Sequence, residues 1–308
     1  MKILLIRNDN IGDLICTTPA IEALRHKFED AKIDIVVNSL NACVVIKNPF
    51  LNKIYIYTKP KHKKRWKDKI WAFLGKCKIL FQIYRQNYDA VVIFRSSYSP
   101  SASIFARAAR AKRVIGVDYK YPKKFITDKI KFGHIPHEVM LCFDCLAPLG
   151  VYYNSEKTLF LPKNVSDKFK DFVFFHISSR ISENQLSISK IEQIAKFLKE
   201  KFADVVLSSE DVEFGERASR LSGVDYLQTS SMDELANYLC KAKFLLTLDG
   251  GVAHLGPALG LKTFVIFGKT NLTRWKPWGD DVYVLQDNSG LAENVKLEDI
   301  YEQISKFS

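Results

Sequence analysis

Asp13 stands directly after a glycine in "RNDNIGDLICTTP", residues 7–19, just past the apolar run "KILLI". A carboxylate at the end of a first strand is ionised at neutral pH, so it can accept a proton, bind a metal or cap a helix. Gly12 before it lets the backbone approach a ligand closely. Asp9 is the competing acid, but its Asp-Asn pair matches ordinary turn chemistry. A second stretch, "LTLDGGVAHLGPALG" at 246–260, ends a strand at Asp249 and opens a helix with Gly250 and Gly251. Bare N–H groups at such a helix start suit a phosphate or diphosphate, and His254, one turn in, can add a donor. The alternative there is a tight strand-to-helix turn with a core histidine.

Two more stretches carry polar groups at strand ends. "FFHISSR", 174–180, offers the hydroxyls of Ser178 and Ser179 and the guanidinium of Arg180, a set that suits phosphate oxygens. "LSSED", 207–211, offers Glu210, placed as acids that receive ribose hydroxyls are after a second strand. Taken singly, each of these residues is also ordinary exposed loop. Together they put three strand ends of the C-terminal half around one site. GxGxxG and the P-loop pattern are both absent, so the usual dinucleotide and triphosphate fingerprints do not apply.

These residues need elements to hold them, and the periodicities supply alternating strands and helices. "KILLI" (2–6) is a continuous apolar run, as a strand buried on both faces requires. Helical spacing follows in Ala20, Ile21, Leu24 and Phe28, with Thr18 as a cap and Pro19 in the first turn. Strands are expected at 32–38, 53–57, 88–94 and 113–117, with helices over 65–84 and near 102–111 and a further helical pattern in "HEVMLCFDCLAPLG". The rhythm pauses near 150–170, where the domain boundary is expected. Beyond it, strands at 172–177, 204–209, 244–248 and 263–268 alternate with helices at 187–201, 213–222, "MDELANYLCKA" and "GVAHLGPALG", before a last helix, "KLEDIYEQISKF". The pattern is α/β, doubly wound, with parallel sheets in two Rossmann-like halves whose ligand lies at strand carboxyl ends. The expected divisions are 1–160, 161–292 and a closing helix at 293–308.

Composition narrows the class. Forty-six basic residues against thirty-four acidic ones leave a net charge of +12, which favours an anionic partner. The excess is clustered in "TKPKHKKRWKDK" (58–69) and "YKYPKKFITDKIKF" (119–132). Nucleic acid is not expected, because no RRM, KH or zinc-finger pattern accompanies the charge. In "RWKDKIWAFLGKCKILFQIY", Trp66, Ile70, Phe73, Leu74, Cys77 and Phe81 fall at helical spacing, as in an amphipathic helix lying on the core or against a bilayer. No apolar run approaches the ~18 residues of a spanning helix, and "MKILLIRND" is a buried strand rather than a signal peptide. A cytoplasmic protein is expected. The six scattered cysteines suit a reduced interior, and the lone CxxC of Cys142 and Cys145 suits two core-facing thiols.

"ILLIRNDNIGDLICTTPAIEALR" resembles the opening signature of the lipopolysaccharide heptosyltransferases, glycosyltransferase family 9. "LLTLDGGVAHLGPALGLKTFVIFGKT" resembles that family's C-terminal nucleotide-binding signature, and the stretches between fit its pattern along essentially the whole chain. The resemblance implies a GT-B fold: two Rossmann-like domains facing a central cleft, acceptor on the N-terminal side and nucleotide sugar on the C-terminal side. It implies inverting transfer of heptose from ADP-L-glycero-D-manno-heptose to a core sugar of lipopolysaccharide or lipooligosaccharide, with no cofactor and no required metal. The partners it implies are the nucleotide sugar, an anionic lipid-linked core oligosaccharide and the inner-membrane surface, with a peripheral location on its cytoplasmic face.

Residue by residue, Asp13 falls on the family's catalytic base. Ser178 and Ser179 fall near the phosphates, and Asp249, Gly250, Gly251 and His254 match the diphosphate-binding turn. Glu210 matches the ribose-binding acid, and Ser230 lies near the adenine contact. Two departures follow. Glu183 or Asn184 stands where the family has a phosphate-holding lysine, so Arg180, Lys190 or Lys269 substitutes, the donor is another nucleotide sugar, or the chain is a weakly catalytic binding or scaffold homologue. Gly250 replaces a hydroxyl residue.

Overall fold

The computed structural model describes residues 1–60, 64–118, 125–134, 136–154, 159–160 and 171–307. Parts of both basic runs and of the expected domain boundary lie outside the described residues. The chain forms two compact units, Met1–Pro162 and Lys163–Ser308.

In the first unit, β1 (Lys2–Ile6) leads into two short helices, α1 (Ile11–Ile15) and α2 (Thr18–Lys27). The connection expected after β1 is therefore itself helical. Gly12 is a buried helical residue, and Thr17, not Thr18, is the residue that precedes α2. Then come β2 (Lys32–Asn38), β3 (Lys53–Tyr57), α3 (Trp66–Tyr84), β4 (Ala90–Ile93), α4 (Pro100–Ala108), β5 (Arg113–Val117), β6 (Asp128–Ile130) and α5 (Glu138–Leu146). The sheet order is β3-β2-β1-β4-β5-β6, parallel throughout. A parallel neighbour needs a crossover, and right-handed crossovers on both faces wind such a sheet outward from its first strand. The strand order thus reverses between β1 and β4, which opens a crevice at their carboxyl ends. One face of the sheet is packed by Leu4, Ile6, Val91 and Ile93 against Ala102, Phe105 and Ile83. Each of the larger side chains so buried is worth about 1.5–3 kcal/mol.

The second unit repeats the plan with β7 (Phe172–His176), α6 (Ile188–Lys201), β8 (Val205–Ser208), α7 (Val212–Ser222), β9 (Asp225–Tyr226), α8 (Met232–Leu239), β10 (Ala242–Leu248), α9 (Gly251–Ala258), β11 (Thr263–Phe267), α10 (Leu272–Trp275), β12 (Val282–Gln286) and α11 (Leu297–Ser305). Its order, β12-β11-β10-β7-β8-β9, is again parallel, with the reversal between β7 and β10. The last helix joins this unit's own core, where Ile300, Ile304 and Phe307 pack with Val173, Phe244 and Phe264. The edge strands β6, β9 and β12 were not visible in the periodicity, since short or half-exposed strands show little alternation.

Candidate active site

In each unit, candidate residues gather at its own strand-order reversal, with Glu210 after the adjoining strand β8 and Ser230 beyond the edge strand β9. In the first unit β1 runs directly into Arg7, whose guanidinium is fully buried. Arg7 Nη2 donates to Glu138 Oε1 at 2.6 Å and to Asp13 Oδ1 at 3.1 Å, and Nη1 donates to the Phe94 carbonyl. Asp9 Oδ1 lies 3.2 Å from Arg7 Nε, close enough for charge attraction although the pair is not aligned for a hydrogen bond. Arg95, just past β4, meets the other Asp9 oxygen at 3.2 Å. A buried guanidinium is costly to desolvate, and three carboxylates offset that cost.

Asp13 accepts from the Asn10 backbone N–H at 3.2 Å through its second oxygen, and its carbonyl accepts from Thr17 Oγ1 at 2.8 Å. Its side chain retains 11% exposure. It is thus a helix cap, an ion-pair partner and a carboxylate with an open edge. Asp9 is not the ordinary turn residue expected. Burial pushes its carboxyl up to about 7 against the downward pull of Arg7. Arg7 and Glu138 were missed by the sequence reading. The signal for Glu138 was an acid at the head of an otherwise apolar helix. Cys142 and Cys145 are both buried, and burial pushes the Cys142 thiol up to about 12. Cys142 Sγ lies 3.4 Å from Thr17 Oγ1.

In the second unit, Ser178, Ser179 and Arg180 follow β7, Glu210 follows β8, and Asp249 follows β10. The structure brings these together. Ser179 Oγ donates to the Asp249 carbonyl at 2.8 Å, tying the two strands that flank the reversal. Ser178 Oγ accepts from the Glu210 backbone N–H at 2.8 Å and lies 3.3 Å from His176 Nε2. His176 Nδ1 pairs with Ser208 Oγ at 2.8 Å. Burial lowers this imidazole to about 4, so it is neutral at pH 7. Arg180 grips Glu210 in a bidentate pair at 2.8 and 3.2 Å, with both side chains largely in solvent.

Asp249 faces inward. Its Oδ2 accepts from Asn184 Nδ2 at 2.6 Å and from Thr270 Oγ1. Burial raises this carboxyl, and the Thr270, Asn184 and Gly250 N–H hydrogen bonds oppose the shift. Asn184, fully buried, also accepts from the Lys269 N–H at 3.0 Å, so one amide joins the loops after β7, β10 and β11. Asn184 and Thr270 had no sequence signal as a pair, being far apart in the chain. Gly250 precedes α9 in extended backbone and offers no side-chain cap. His254, in the first turn, is buried against Trp275, with ring centroids 6.3 Å apart.

The cations expected to replace the missing lysine separate clearly. Lys190 does not serve: it is buried, and its ammonium donates to the carbonyls of Glu293 and Val295. Lys269 Nζ pairs with Glu183 Oε1 at 2.9 Å on the surface, and the pairing holds the Glu183 carboxyl down at about 2. Ser230 lies beyond β9, where its N–H and hydroxyl both bind Glu234 Oε2 at 2.8 and 2.7 Å as part of the cap of α8. Among the described residues, no group of three or more His, Cys, Asp or Glu is arranged to hold a metal.

The model of glycosyltransferase family 9 (heptosyltransferase) matches residues 77–305. Lipopolysaccharide heptosyltransferase 1 of Escherichia coli (strain K12) is 23% identical over 327 residues, covering 99% of this chain and 99% of that protein. The solved structure of E. coli heptosyltransferase WaaC with ADP superposes with a TM-score of 0.84 at 18% identity, covering 100% of both chains. The same enzyme with ADP-2-deoxy-2-fluoro heptose gives 0.81 at 18% identity, again covering 100% of both chains. The fold is accordingly GT-B, as the resemblance implied.

Proposed function

The chain belongs to glycosyltransferase family 9, the heptosyltransferase family, and from that premise we propose that it transfers heptose from ADP-L-glycero-D-manno-heptose to a sugar hydroxyl of a lipid-linked core oligosaccharide. The observation that carries the donor assignment is the second unit's strand-order reversal. There two serine hydroxyls, an exposed arginine and a helix start without a side-chain cap gather at one sheet edge. Helix N–H groups aimed outward at such an edge attract a diphosphate. Glu210 receives the ribose hydroxyls, and Ser230 lies toward the base. One relative, solved with ADP and with ADP-2-deoxy-2-fluoro heptose, supports the same choice of nucleotide.

In this reading Asp13 is the base. The acceptor oxygen attacks the anomeric carbon, its proton passes to the Asp13 carboxylate, and the bond to the ADP oxygen breaks with inversion. The transition state carries oxocarbenium character, as displacements at anomeric carbons do. Charge builds on the departing diphosphate, where the N-terminus of α9, His254 and Arg180 stabilise it. The missing family lysine leaves Glu183 beside the phosphates, and Lys269 offsets that carboxylate. No metal enters this scheme, so a chelator leaves the rate unchanged. The acceptor's lipid places the enzyme on the cytoplasmic face of the inner membrane.

The first test is calorimetry of the purified chain with ADP, UDP and GDP in turn. Selective ADP binding supports the heptose donor. Preference for UDP or GDP keeps a glycosyltransferase but changes the sugar. No binding favours the second reading, a non-catalytic family member, for which the Glu183 departure is the specific observation.

A further inference from the structure

Helix α3 is built inside out. It runs for 19 residues, about 28 Å, and of these only Ile83 is fully buried. Its inner side, Ile79, Leu80 and Ile83, rests on the core around Phe105. Trp66, Ile70, Phe73, Cys77, Phe81 and Tyr84 recur every three or four residues and form one continuous stripe on a neighbouring, outward side of the helix. This stripe is in solvent: Trp66 is 67% exposed, Phe73 58% and Phe81 61%. Trp71, 72% exposed, stands apart from it, across the row of Lys67 and Lys78. A surface helix ordinarily turns its apolar stripe inward, so an outward stripe of this size marks an interaction face.

The flanks identify the occupant. Lys67 and Lys78 border the stripe on one side and Lys69 on the other, all exposed, with Arg65 at the helix start. The helix has one acid, Asp68, which is half-buried. Rings in an apolar stripe flanked by lysines suit the boundary between lipid tails and anionic headgroups. A second copy of the chain fits poorly, because a two-fold contact through this stripe sets its flanking lysines against their counterparts. No helix among the described residues is long and apolar enough to cross a membrane, so α3 would lie in the plane.

The geometry points to α3 as an in-plane anchor that inserts its Trp66–Phe73–Phe81 stripe into an anionic bilayer. This deepens the lipid-linked acceptor assignment and draws its purpose from it, since an anchor on the acceptor-binding unit holds that unit at the surface where its substrate resides.

The test uses the full chain without nucleotide, sedimented with phosphatidylcholine vesicles with or without phosphatidylglycerol. Binding to the anionic vesicles is expected, with tryptophan emission quenched by brominated lipid. Phe73→Ser with Phe81→Ser should weaken binding about tenfold or more at both low and high salt. Lys67→Glu with Lys78→Glu should weaken it chiefly at low salt. Circular dichroism and ADP binding of both double variants should match the parent. Absence of binding to anionic vesicles, or binding indifferent to both variants, overturns the proposal. So does a concentration-dependent dimer that Phe73→Ser with Phe81→Ser abolishes, which assigns the stripe to a second copy. Vesicle binding without ADP binding overturns the donor assignment alone, and the reverse result overturns the anchor alone.

Discussion

Arg7 holds Asp13 through a single nitrogen, with Nη2 3.1 Å from Oδ1. The Asn10 N–H takes the other oxygen at 3.2 Å. Both carboxylate oxygens are thus oriented by groups at the end of β1, while the side chain keeps an open edge.

From this pairing, Asp13→Asn should fold and bind ADP like the parent, since the amide retains an acceptor oxygen for one of the two donors. Turnover should fall by roughly 10²- to 10⁴-fold, the usual worth of a positioned base. Unchanged turnover in a transfer assay removes Asp13 from the mechanism.

Asn184→Ala should cost about 1–3 kcal/mol in urea unfolding, because it leaves the buried Asp249 carboxylate and the Lys269 N–H each short of a partner. ADP affinity should fall with it, since Asn184 joins the three loops of the proposed donor site. A stable variant with parental affinity would contradict the bridging role.

Two glycines of the second unit, Gly250 and Gly268 just past β11, should respond differently to an added side chain. A Cβ on Gly250 meets nothing within 4 Å, and its backbone is extended, so Gly250→Ser should leave the melting temperature unchanged. A Cβ on Gly268 would overlap the Glu183 carbonyl and lie 2.6 Å from Asn184 Oδ1, so Gly268→Ala should destabilise by about 1–3 kcal/mol. Thermal melts of the two variants side by side decide this.

His176 should make stability depend on pH. Its folded value is lowered from 6.5 to about 4, so the unfolded chain binds the extra proton first as pH falls. Stability is complete above pH 6.5 and declines toward pH 4, by about 3 kcal/mol in total. Asp9, raised from 3.8 to about 7, acts in the opposite sense, its contribution falling as pH rises through that window. The parent's curve sums the two, so the readable quantity is the difference between parent and His176→Gln in urea titrations from pH 7.5 to 4. A constant difference across that range would be incompatible with a buried neutral imidazole.

Glu183→Gln should raise ADP affinity a few-fold by releasing Lys269 to the diphosphate, and Lys269→Ala should lower it. If calorimetry finds neither change, the pair lies outside the donor site.

Much of this protein is written locally. The runs "KILLI", "FVFFH" and "TFVIF" announce buried parallel strands because each is apolar on both faces, and the helices between them show their stripes. That alternation points to two doubly wound sheets, with crevices at the carboxyl ends of β1, β7 and β10, past which Asp13, Ser178 and Asp249 stand. Short-range signals carry no information about partners distant in the chain. Arg7 meets Glu138 across 131 residues, and Asn184 meets Asp249 across 65, only because the parallel winding of each unit brings distant segments to its own crevice. The same winding carries Lys190 to the Glu293 and Val295 carbonyls, which occupy its ammonium. The stripe of α3 was plain in the sequence, but periodicity cannot say whether such a stripe faces in or out. Packing decided that, because the core around Phe105 takes Ile79, Leu80 and Ile83 and leaves the aromatic side to the solvent.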